Sequence, residues 1–326
     1  MNSKTIKFID LFAGVGGIRL GFERSCEQNS FVPKCVFTSE IDDKACEIYR
    51  KNFKDKHDPK FDITKINTSD LPDYDVLLAG FPCQAFSIAG KRGGFDDTRG
   101  TLFFDVARII KDTRPKMFLL ENVKGLTNHN HGKTFSTILN VLQNELNYNV
   151  HYKVLNAKNY GLPQNRERIY IVGFDKNIDY NFPTEYSYIP RLKHELPTFC
   201  PDKKYYLSER YMETLKKHKE RHQAKGNGFG YEVVDMNGIA NTIVCGGMGK
   251  ERNLVYDSVS VNFIVDYDKN KDFIRKMTPL EWERLQGFPD NWTEGVADTH
   301  RYKQMGNSVA VNVIYEVCNK MIMCYA

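Results

Sequence analysis

The sequence predicts an α/β fold built on a doubly wound, mostly parallel sheet, with a second, smaller and irregular domain. Two observations support this prediction. Short apolar segments alternate with helix-length amphipathic segments through the first half of the chain, which is the order of strands and helices in such folds. The apolar segments are continuous rather than alternating in polarity, as expected for parallel strands buried on both faces.

Six predicted strands and four predicted helices make up this first half. The strands are Lys7–Phe12, Cys35–Thr38, Asp75–Ala79, Met117–Leu120, Val150–Leu155 and Ile169–Phe174. The helices are Ile18–Cys26, Lys44–Lys51, Leu102–Lys111 and Thr134–Asn144. The chain has 326 residues, of which 41% are hydrophobic, and this is enough for about two domains of roughly 150 residues each.

The alternation stops after Phe174, which predicts a domain boundary. We expect a catalytic and cofactor-binding domain over residues 1–178, completed by residues 300–326, and a smaller domain with a hinge over residues 179–299. The elements predicted beyond the boundary are the strands Thr242–Cys245, Asn253–Tyr256 and Ser260–Val265 and the helices Thr278–Gln286 and Ser308–Cys324. The apolar spacing of the last helix suits packing against the first sheet.

Composition excludes a membrane-spanning protein and a disulfide scaffold. No run of 18 or more apolar residues occurs, although a transmembrane helix needs about that length. The first residues lack the cleavage site of a signal peptide. The eight cysteines form no CxxC pair and no zinc-ligand spacing. We therefore expect a reduced, cytoplasmic protein that needs no metal.

The net charge of +5 is concentrated in one segment. Arg191–Lys225 holds ten Lys or Arg against five Asp or Glu, so its excess equals the net charge of the whole chain. Such a segment is compatible with a phosphate-backbone partner. A solvated surface helix explains the charge equally well.

A glycine-rich turn, Phe12–Gly17, follows the first strand and opens the first helix. Glycines allow a tight turn whose amide groups approach a ligand. Glu40 ends the next predicted strand, where folds of this kind place a ribose-binding carboxylate. The two features together favour a nucleoside cofactor, although the glycine pattern is not GxGxxG. A purely structural turn is the alternative.

Cys83 lies in Gly80–Gln84, at the carboxyl end of a predicted strand, where α/β sheets bind ligands. A thiolate there is a candidate nucleophile, and a buried, inert cysteine is the alternative. The following segment, Ser87–Gly100, holds four glycines and three basic residues. It predicts either a mobile loop that closes over a phosphate-bearing substrate or an ordinary surface loop.

Two further motifs place ionisable side chains near strand ends. Glu121 ends the predicted strand that begins at Met117, and a carboxyl group at the mouth of a buried strand can hold a proton and act as an acid. A helix-capping or ion-paired carboxylate is the alternative. Arg166 and Arg168 stand at alternate positions just before the predicted strand Ile169–Phe174, so that they could clamp an anion or a base carbonyl together. Ordinary ion pairs would also explain them.

In this order, the four motifs resemble those of the cytosine-C5 DNA methyltransferases of bacterial type II restriction–modification systems, in particular the small HhaI-type enzymes. Two later segments agree: Arg275–Pro289 resembles the ninth motif of the family, and Gly306–Val309 resembles the tenth. The resemblance implies a Rossmann-like enzyme that uses S-adenosylmethionine, binds double-stranded DNA as a monomer in a cleft between its domains, and methylates a cytosine. It also implies protection of host DNA from a cognate restriction endonuclease.

Carried onto this sequence, the resemblance implies a pocket for S-adenosylmethionine. Its residues would be Phe12, Ala13, Gly14, Gly16, Gly17, Glu40, Ile41, Asp62, Ile63, Pro82, Leu102, Asn307 and Val309. Glu40 would bind the ribose hydroxyls, and Asp62 and Ile63 would flank the adenine. Ile41 stands where relatives often have an aromatic side chain, so aliphatic contact would replace stacking.

The resemblance also implies four catalytic residues, Cys83, Glu121, Arg166 and Arg168. The Cys83 thiolate would add to C6 of cytosine, which makes C5 nucleophilic. Glu121 would stabilise the charge that develops at N3, and Arg168 would hold O2 with support from Arg166. The sequence names no base for the proton on C5.

The target cytosine must leave the duplex to reach these groups. The predicted DNA-contacting residues are Ser87, Lys91, Arg92, Arg99, Thr242, Lys250 and Arg252. Removal of the three charges in the Ser87–Gly100 loop should weaken DNA binding and flatten its salt dependence. Thr242 lies in the short threonine–aliphatic element of the family's target-recognition domain. The candidates for base contacts nearby are Lys250, Glu251, Arg252 and Asn253.

Three other functions are weighed against this one. An RNA cytosine-C5 methyltransferase of the same fold is disfavoured because the Cys-Phe-Thr element of such relatives is absent, and Phe199-Cys200-Pro201 is not that element. A silent DNA-binding protein would not need Cys83, Glu121 and Arg168 together. A nicotinamide-dependent oxidoreductase is disfavoured because the glycine pattern is wrong for a pyrophosphate.

Overall fold

The computed structural model describes residues 4–82, 102–196, 202–228, 230–257 and 273–325. The chain divides into two compact units. The first unit comprises residues 1–156, 167–185 and 311–326. The second comprises residues 157–166 and 186–310.

The described residues form the following strands and helices, numbered along the chain. The strands are β1 (Thr5–Leu11), β2 (Val32–Ser39), β3 (Val76–Gly80), β4 (Met117–Val123), β5 (Asn149–Asn156), β6 (Gln164–Asn165), β7 (Glu167–Phe174), β8 (Ala240–Asn241), β9 (Leu254–Tyr256) and β10 (Ile274–Lys276). The helices are α1 (Gly17–Gln28), α2 (Asp43–Phe53), α3 (Leu102–Thr113), α4 (Lys133–Asn140), α5 (Leu192–Glu195), α6 (Glu209–Ala224), α7 (Pro279–Leu285), α8 (Asp298–Asn307) and α9 (Val311–Tyr325).

The first unit is built on a six-stranded sheet with the order β2-β1-β3-β4-β7-β5. Neighbours from β2 to β4 pair in parallel, whereas β7 runs antiparallel to both β4 and β5. The prediction of a mostly parallel, doubly wound sheet is confirmed. All six predicted strands and all four predicted helices of the first half are present, with the last helix continuing past Asn140 as a π-helical turn.

Continuous apolar runs explain why this sheet lies at the centre of the unit. Every residue of Met117–Leu120 is fully buried, as is every residue of Val76–Ala79. Helix α9 packs against α1 in the same unit, where a Cβ on Gly21 would lie 2.7 Å from the side chain of Ile314. The glycine therefore allows the close approach of the two helices. The last helix was predicted to pack against the first sheet; it returns to the first unit and packs there on α1.

The second unit contains a short antiparallel pair, β9 with β10, and a short parallel pair, β6 with β8. The predicted strand Asn253–Tyr256 is confirmed as β9, but the strand predicted at Thr242–Cys245 is wrong. Pairing ends at Asn241, because the amide of Ile243 donates to the side chain of Gln164 rather than to a strand. The predicted strand Ser260–Val265 lies outside the described residues.

Capping chemistry explains the predicted helix at Thr278–Gln286, which is confirmed as α7. Thr278 caps the amide of Glu281, the Glu281 carboxylate accepts from the Thr278 amide, and Pro279 occupies the first turn. This reciprocal arrangement satisfies donors that a helix start leaves unpaired. Helix α8 was not predicted, because its polar sequence lacks an apolar repeat.

The basic segment Arg191–Lys225 contains α6, an amphipathic helix that buries Met212 and Leu215. In the part of the chain that the structure describes, no helix has the length and apolar character needed to cross a membrane. The six cysteines in the described ranges are all free of disulfide bonds.

Candidate active site

The turn after β1 has left-handed backbone at Phe12 (φ 53°), Gly14 (φ 54°) and Gly16 (φ 85°). A Cβ on Gly16 would lie 2.1 Å from the ring of Phe53, so only glycine fits there. A Cβ on Gly14 would meet no atom within 4 Å. The turn therefore leaves open space beside Gly14, directly before α1 begins at Gly17.

The Glu40 carboxylate is held in place by three backbone amides. Its Oε2 accepts from the amide of Gly14 at 2.8 Å, and its Oε1 accepts from the amides of Ile41 at 2.8 Å and Asp42 at 2.7 Å. The amide of Ala13 in turn donates to the carbonyl of Ser39 at the end of β2. These bonds join the ends of β1 and β2 and fix the carboxylate beside the glycine turn.

The remaining predicted cofactor residues of the first unit differ in exposure. Ile41 is 66% exposed, whereas Ile63 is buried. The Asp62 side chain caps a short 3-10 turn by accepting from the amide of Thr64 at 3.0 Å. Pro82 is exposed and Leu102 is partly buried against the core of the unit.

A buried carboxylate and a largely buried guanidinium meet where β4 and β7 pair. Glu121 lies opposite Gly80 in the register of β3 and β4, and Arg168 pairs with Val123 across β4 and β7. The Arg168 Nε lies 3.3 Å from Glu121 Oε1, and the two side chains are only 12% and 10% exposed. The structure thus brings together two residues from separate motifs, at the strand end that leads to Pro82.

Asn122 holds the backbone beside this pair, a role that sequence reasoning missed. Its Nδ2 donates to the carbonyl of Phe81 at 2.8 Å, and its Oδ1 accepts from the amide of Val123 at 2.8 Å. Asn122 is buried, at 3% exposure. A polar side chain between the buried strand and the exposed Val123 was the available signal, but its bonding partner Phe81, just beyond β3, is remote in sequence.

Arg166 lies in the second unit, between β6 and β7, and is buried. Its Nη1 donates to the carbonyl of Ile243 at 2.9 Å, and its Nη2 donates to the carbonyl of Ser308. The guanidinium therefore braces two backbone segments. The alternate spacing of Arg166 and Arg168 predicted that the two side chains clamp one anion together. These contacts give no support to that prediction, because both Nη atoms of Arg166 already donate to backbone carbonyls.

The two carbonyls lie next to other predicted site residues of the second unit. Thr242 donates its hydroxyl to the carbonyl of Asn165. The Asn307 side-chain oxygen accepts from the thiol of Cys245 at 2.5 Å, and Val309 is buried. These contacts tie the segment around Thr242 to the end of α8.

The four candidates for base contacts divide by burial. Glu251 and Asn253 are buried, at 6% and 0% exposure. Glu251 pairs with Lys276, and the Asn253 Oδ1 accepts from the amide of Asn241 at 2.8 Å. Both side chains are thus engaged within the second unit, and their contact with bases stays a prediction. Arg252 is exposed and Lys250 is partly buried.

Five of the predicted site residues lie outside the described residues, and these are Cys83, Ser87, Lys91, Arg92 and Arg99. Within the described ranges, three potential metal ligands approach one another within 4.8 Å, namely Cys35, Asp55 and His57. Arg19 binds both carboxylate oxygens of Asp55. The carboxylate is therefore already neutralised by a buried cation.

Comparison with known proteins gives consistent matches over nearly the whole chain. The family described as C-5 cytosine-specific DNA methylase matches residues 6–323. Type II methyltransferase M.HpaII of Haemophilus parainfluenzae is 53% identical over 97% of this chain and 88% of its own length. Type II methyltransferase M1.ScrFI of Lactococcus lactis subsp. cremoris is 47% identical over 98% of this chain and 79% of its own length.

Two solved structures have the same fold at low sequence identity. A variant of DNMT2 from Spodoptera frugiperda matches with a TM-score of 0.74 and 18% identity, over 98% of this chain and 100% of that chain. The Dnmt2 methyltransferase of S. pombe matches with a TM-score of 0.71 and 16% identity, over 98% of this chain and 99% of that chain. At such identities the likeness establishes the fold alone.

Proposed function

The chain belongs to the family of C-5 cytosine-specific DNA methylases, and from this premise we propose that it methylates cytosine within one short DNA sequence and so protects host DNA from a cognate restriction endonuclease. The main support for the catalytic residues is the pairing of Glu121 with Arg168. The pair lies beside Gly80, where β3 ends and the chain leads to Pro82. The relatives at 53% and 47% identity are named as type II methyltransferases, which supports this role.

The residues around the glycine turn fit the nucleoside part of S-adenosylmethionine. The space beside Gly14 is open, and the Glu40 carboxylate is oriented by three amides and can accept hydrogen bonds from ribose hydroxyls. The exposed aliphatic side chain of Ile41 offers an apolar surface to a base. When bound, the cofactor supplies an electrophilic methyl group on a sulfonium.

The catalytic groups act on the cytosine in a defined order. The Cys83 thiolate adds to C6 while Glu121 gives a proton to N3, so that C5 becomes nucleophilic. Arg168 holds the O2 carbonyl and stabilises the charge on the ring. After C5 has gained the methyl group it loses its proton to a base, N3 returns its proton to Glu121, and the bond between Cys83 and C6 breaks.

Positioning residues support this chemistry from outside the reacting atoms. Asn122 fixes the backbone of Phe81, two residues before Cys83. Arg166 fixes the carbonyls of Ile243 and Ser308 within the second unit. We assign methyl transfer to the domain of residues 1–178 and 300–326, and sequence recognition to residues 179–299. Double-stranded DNA is the substrate, and the target base is flipped out of the helix.

Expression in a host that lacks cytosine methylation tests the proposal, with bisulfite sequencing of that host's DNA. Protected cytosines in one short recurring context are the expected result, and they also give the recognition sequence. Cys83→Ser is the control, because it should remove protection while the protein still binds S-adenosylmethionine. Soluble wild-type protein that binds the cofactor but protects no cytosine in DNA would overturn the proposal. Methylated cytosines in the host's RNA would then identify the alternative substrate.

A further inference from the structure

A cavity of about 460 Å³ opens within the second unit, and most of the charged side chains in its lining are basic. Three lysines line it, Lys250, Lys276 and Lys303, against one carboxylate, Glu251. The other lining residues are Val244, Cys245, Gly246, Gly247, Trp282, Thr299 and Tyr302. The balance of formal charge at the wall is therefore positive.

The one carboxylate among the described lining residues is already engaged. Glu251 Oε1 lies 2.9 Å from the Nζ of Lys276 and accepts a hydrogen bond from the hydroxyl of Tyr211 at 3.1 Å. Glu251 is also buried, at 6% exposure. One lysine is thus neutralised, and the carboxylate has little capacity left for a second.

The ammonium group of Lys250 lies over an aromatic ring. Its Nζ lies 4.4 Å from the centroid of the Tyr302 ring, and none of the ion pairs between described residues includes it. Burial lowers the pKa of Lys250, and the charge of Lys276 lowers it further. The carboxylates of Glu251 and Asp298 act in the opposite direction. A partly desolvated cation that forms no ion pair of its own is stabilised by a bound anion.

The wall that carries these lysines is closely packed. A Cβ on Gly306 would lie 2.3 Å from the amide nitrogen of Cys245, and a Cβ on Gly249 would lie 2.3 Å from the carbonyl of Val244. Tyr302 donates its hydroxyl to the carbonyl of Met277. The segment around Lys250 is therefore supported from two sides, and a ligand would not have to order it.

We propose that this cavity binds a phosphate of the DNA backbone, with Lys250 as the principal ligand. The proposal rests on the proposed function, since that function supplies the DNA. Among the described residues the lining contains no Arg, Asn or Gln, the planar side chains that read base edges through paired hydrogen bonds, although a lysine can also donate to guanine. A lysine ammonium is a point charge with no planar geometry, and it suits a phosphate. Lys250 therefore positions the duplex and does not read its sequence.

The test measures DNA affinity for the wild type and for three variants. Lys250→Gln removes the charge, and Lys250→Arg keeps it. Lys219→Gln is the matched control, because Lys219 also lies over a tyrosine of the second unit, with its Nζ 5.0 Å from the Tyr231 ring centroid. Each protein is titrated with a duplex that carries the methylated sequence and with one altered at a single base pair, across a series of salt concentrations.

For Lys250→Gln we expect affinity for both duplexes to fall by roughly ten-fold, and the slope of log affinity against log salt to decrease by about one. Lys250→Arg and Lys219→Gln should stay close to the wild type. Thermal unfolding of each variant shows whether the fold is kept. If Lys250→Gln unfolds, the salt slope of Lys250→Met decides in its place.

An unchanged salt slope in Lys250→Gln would overturn the phosphate assignment. So would a loss confined to the cognate duplex, because that result indicates a base contact. In both cases a wild type that still methylates its target leaves the proposed function standing. A wild type that neither binds nor methylates duplex DNA would instead reject the proposed function itself.

Discussion

The side-chain amide of Asn122 donates a 2.8 Å hydrogen bond to the carbonyl of Phe81. The bond joins β4 to the backbone just beyond β3, two residues before Cys83. Both ends are buried, since Phe81 is 4% exposed and Asn122 is 3% exposed. A buried hydrogen bond of this kind fixes geometry more firmly than one in water.

Replacing Asn122 with alanine should slow methyl transfer, because the strand end before Cys83 loses its anchor. We expect the rate constant of methyl transfer to fall by roughly ten- to a hundred-fold, in line with the effect of small misplacements at a reacting centre. Binding of S-adenosylmethionine should be unchanged. Single-turnover methylation measures the first quantity and calorimetry the second. Asn29→Ala, which removes a side-chain bond to the carbonyl of Ser25, is the control and should leave that rate constant as it is.

Replacing Glu121 with glutamine should abolish most activity while the protein keeps its fold. Glutamine preserves the shape of the side chain but cannot transfer a proton to N3. General acid–base catalysis contributes about 10²–10⁴-fold, so we expect a loss of kcat in that range. In the wild type, Arg168 Nε lies 3.3 Å from Glu121 Oε1. Arg168→Lys replaces the guanidinium with an ammonium but keeps the positive charge, so its loss of kcat should be smaller. Equal rates in Glu121→Gln and the wild type would exclude Glu121 from the chemistry.

Replacing Glu40 with glutamine should weaken the binding of S-adenosylmethionine. Both carboxylate oxygens accept from backbone amides, so an amide nitrogen at either position would face a donor. Hydrogen bonds to charged groups contribute about 1.5–3 kcal/mol, which corresponds to a Kd raised by roughly ten- to a hundred-fold. Glu47→Gln on α2, where the carboxylate forms an exposed pair with Lys44, should bind the cofactor normally in the same calorimetric titration.

Replacing Asp10 with asparagine should change how stability depends on pH. Burial raises the pKa of Asp10 from its ordinary 3.8 to about 7, against the opposing effects of the Arg19 charge and the Tyr49 hydroxyl. The folded state therefore binds the proton more tightly than the unfolded state, and the stability that this proton contributes is lost as pH rises toward 7. Asp10→Asn stays neutral throughout.

The free energy of unfolding of Asp10→Asn, relative to the wild type, should rise between about pH 4 and pH 7 and level off above that range. Urea titrations at several pH values give this difference. A difference that is flat across the range would show that Asp10 ionises normally in the folded protein.

Replacing Arg275 with alanine should destabilise the protein by about 3–5 kcal/mol, the usual effect of leaving buried charges uncompensated. Its guanidinium bridges two carboxylates. Nη1 and Nη2 each donate to an oxygen of Glu281 at 2.8 Å, and Nε donates to Asp257 Oδ2 at 2.9 Å. Arg284→Ala, which breaks a pair with the more exposed Asp290, should cost less than about 1 kcal/mol. Denaturant unfolding compares the two variants. Similar losses would mean that the buried network contributes little.

Local patterns were sufficient to predict the elements of the first unit. The fully apolar runs at Val76–Ala79 and Met117–Leu120 are buried in the sheet as expected, because a strand covered on both faces must be apolar throughout. The turn at Gly14 and Gly16 was likewise predictable, since left-handed backbone favours glycine. The order of the motifs was enough to indicate the family.

Only the tertiary structure decided which distant residues meet. The contacts of Asn122 with Phe81, and of Arg166 with the carbonyls of Ile243 and Ser308, join residues that no periodicity connects. In the second unit, the burial of Glu251 and the position of Lys250 over the Tyr302 ring follow from packing between segments remote in sequence. A sequence determines which residues can form an element and carry a charge, but the neighbours that neutralise or expose that charge are set when the chain is folded.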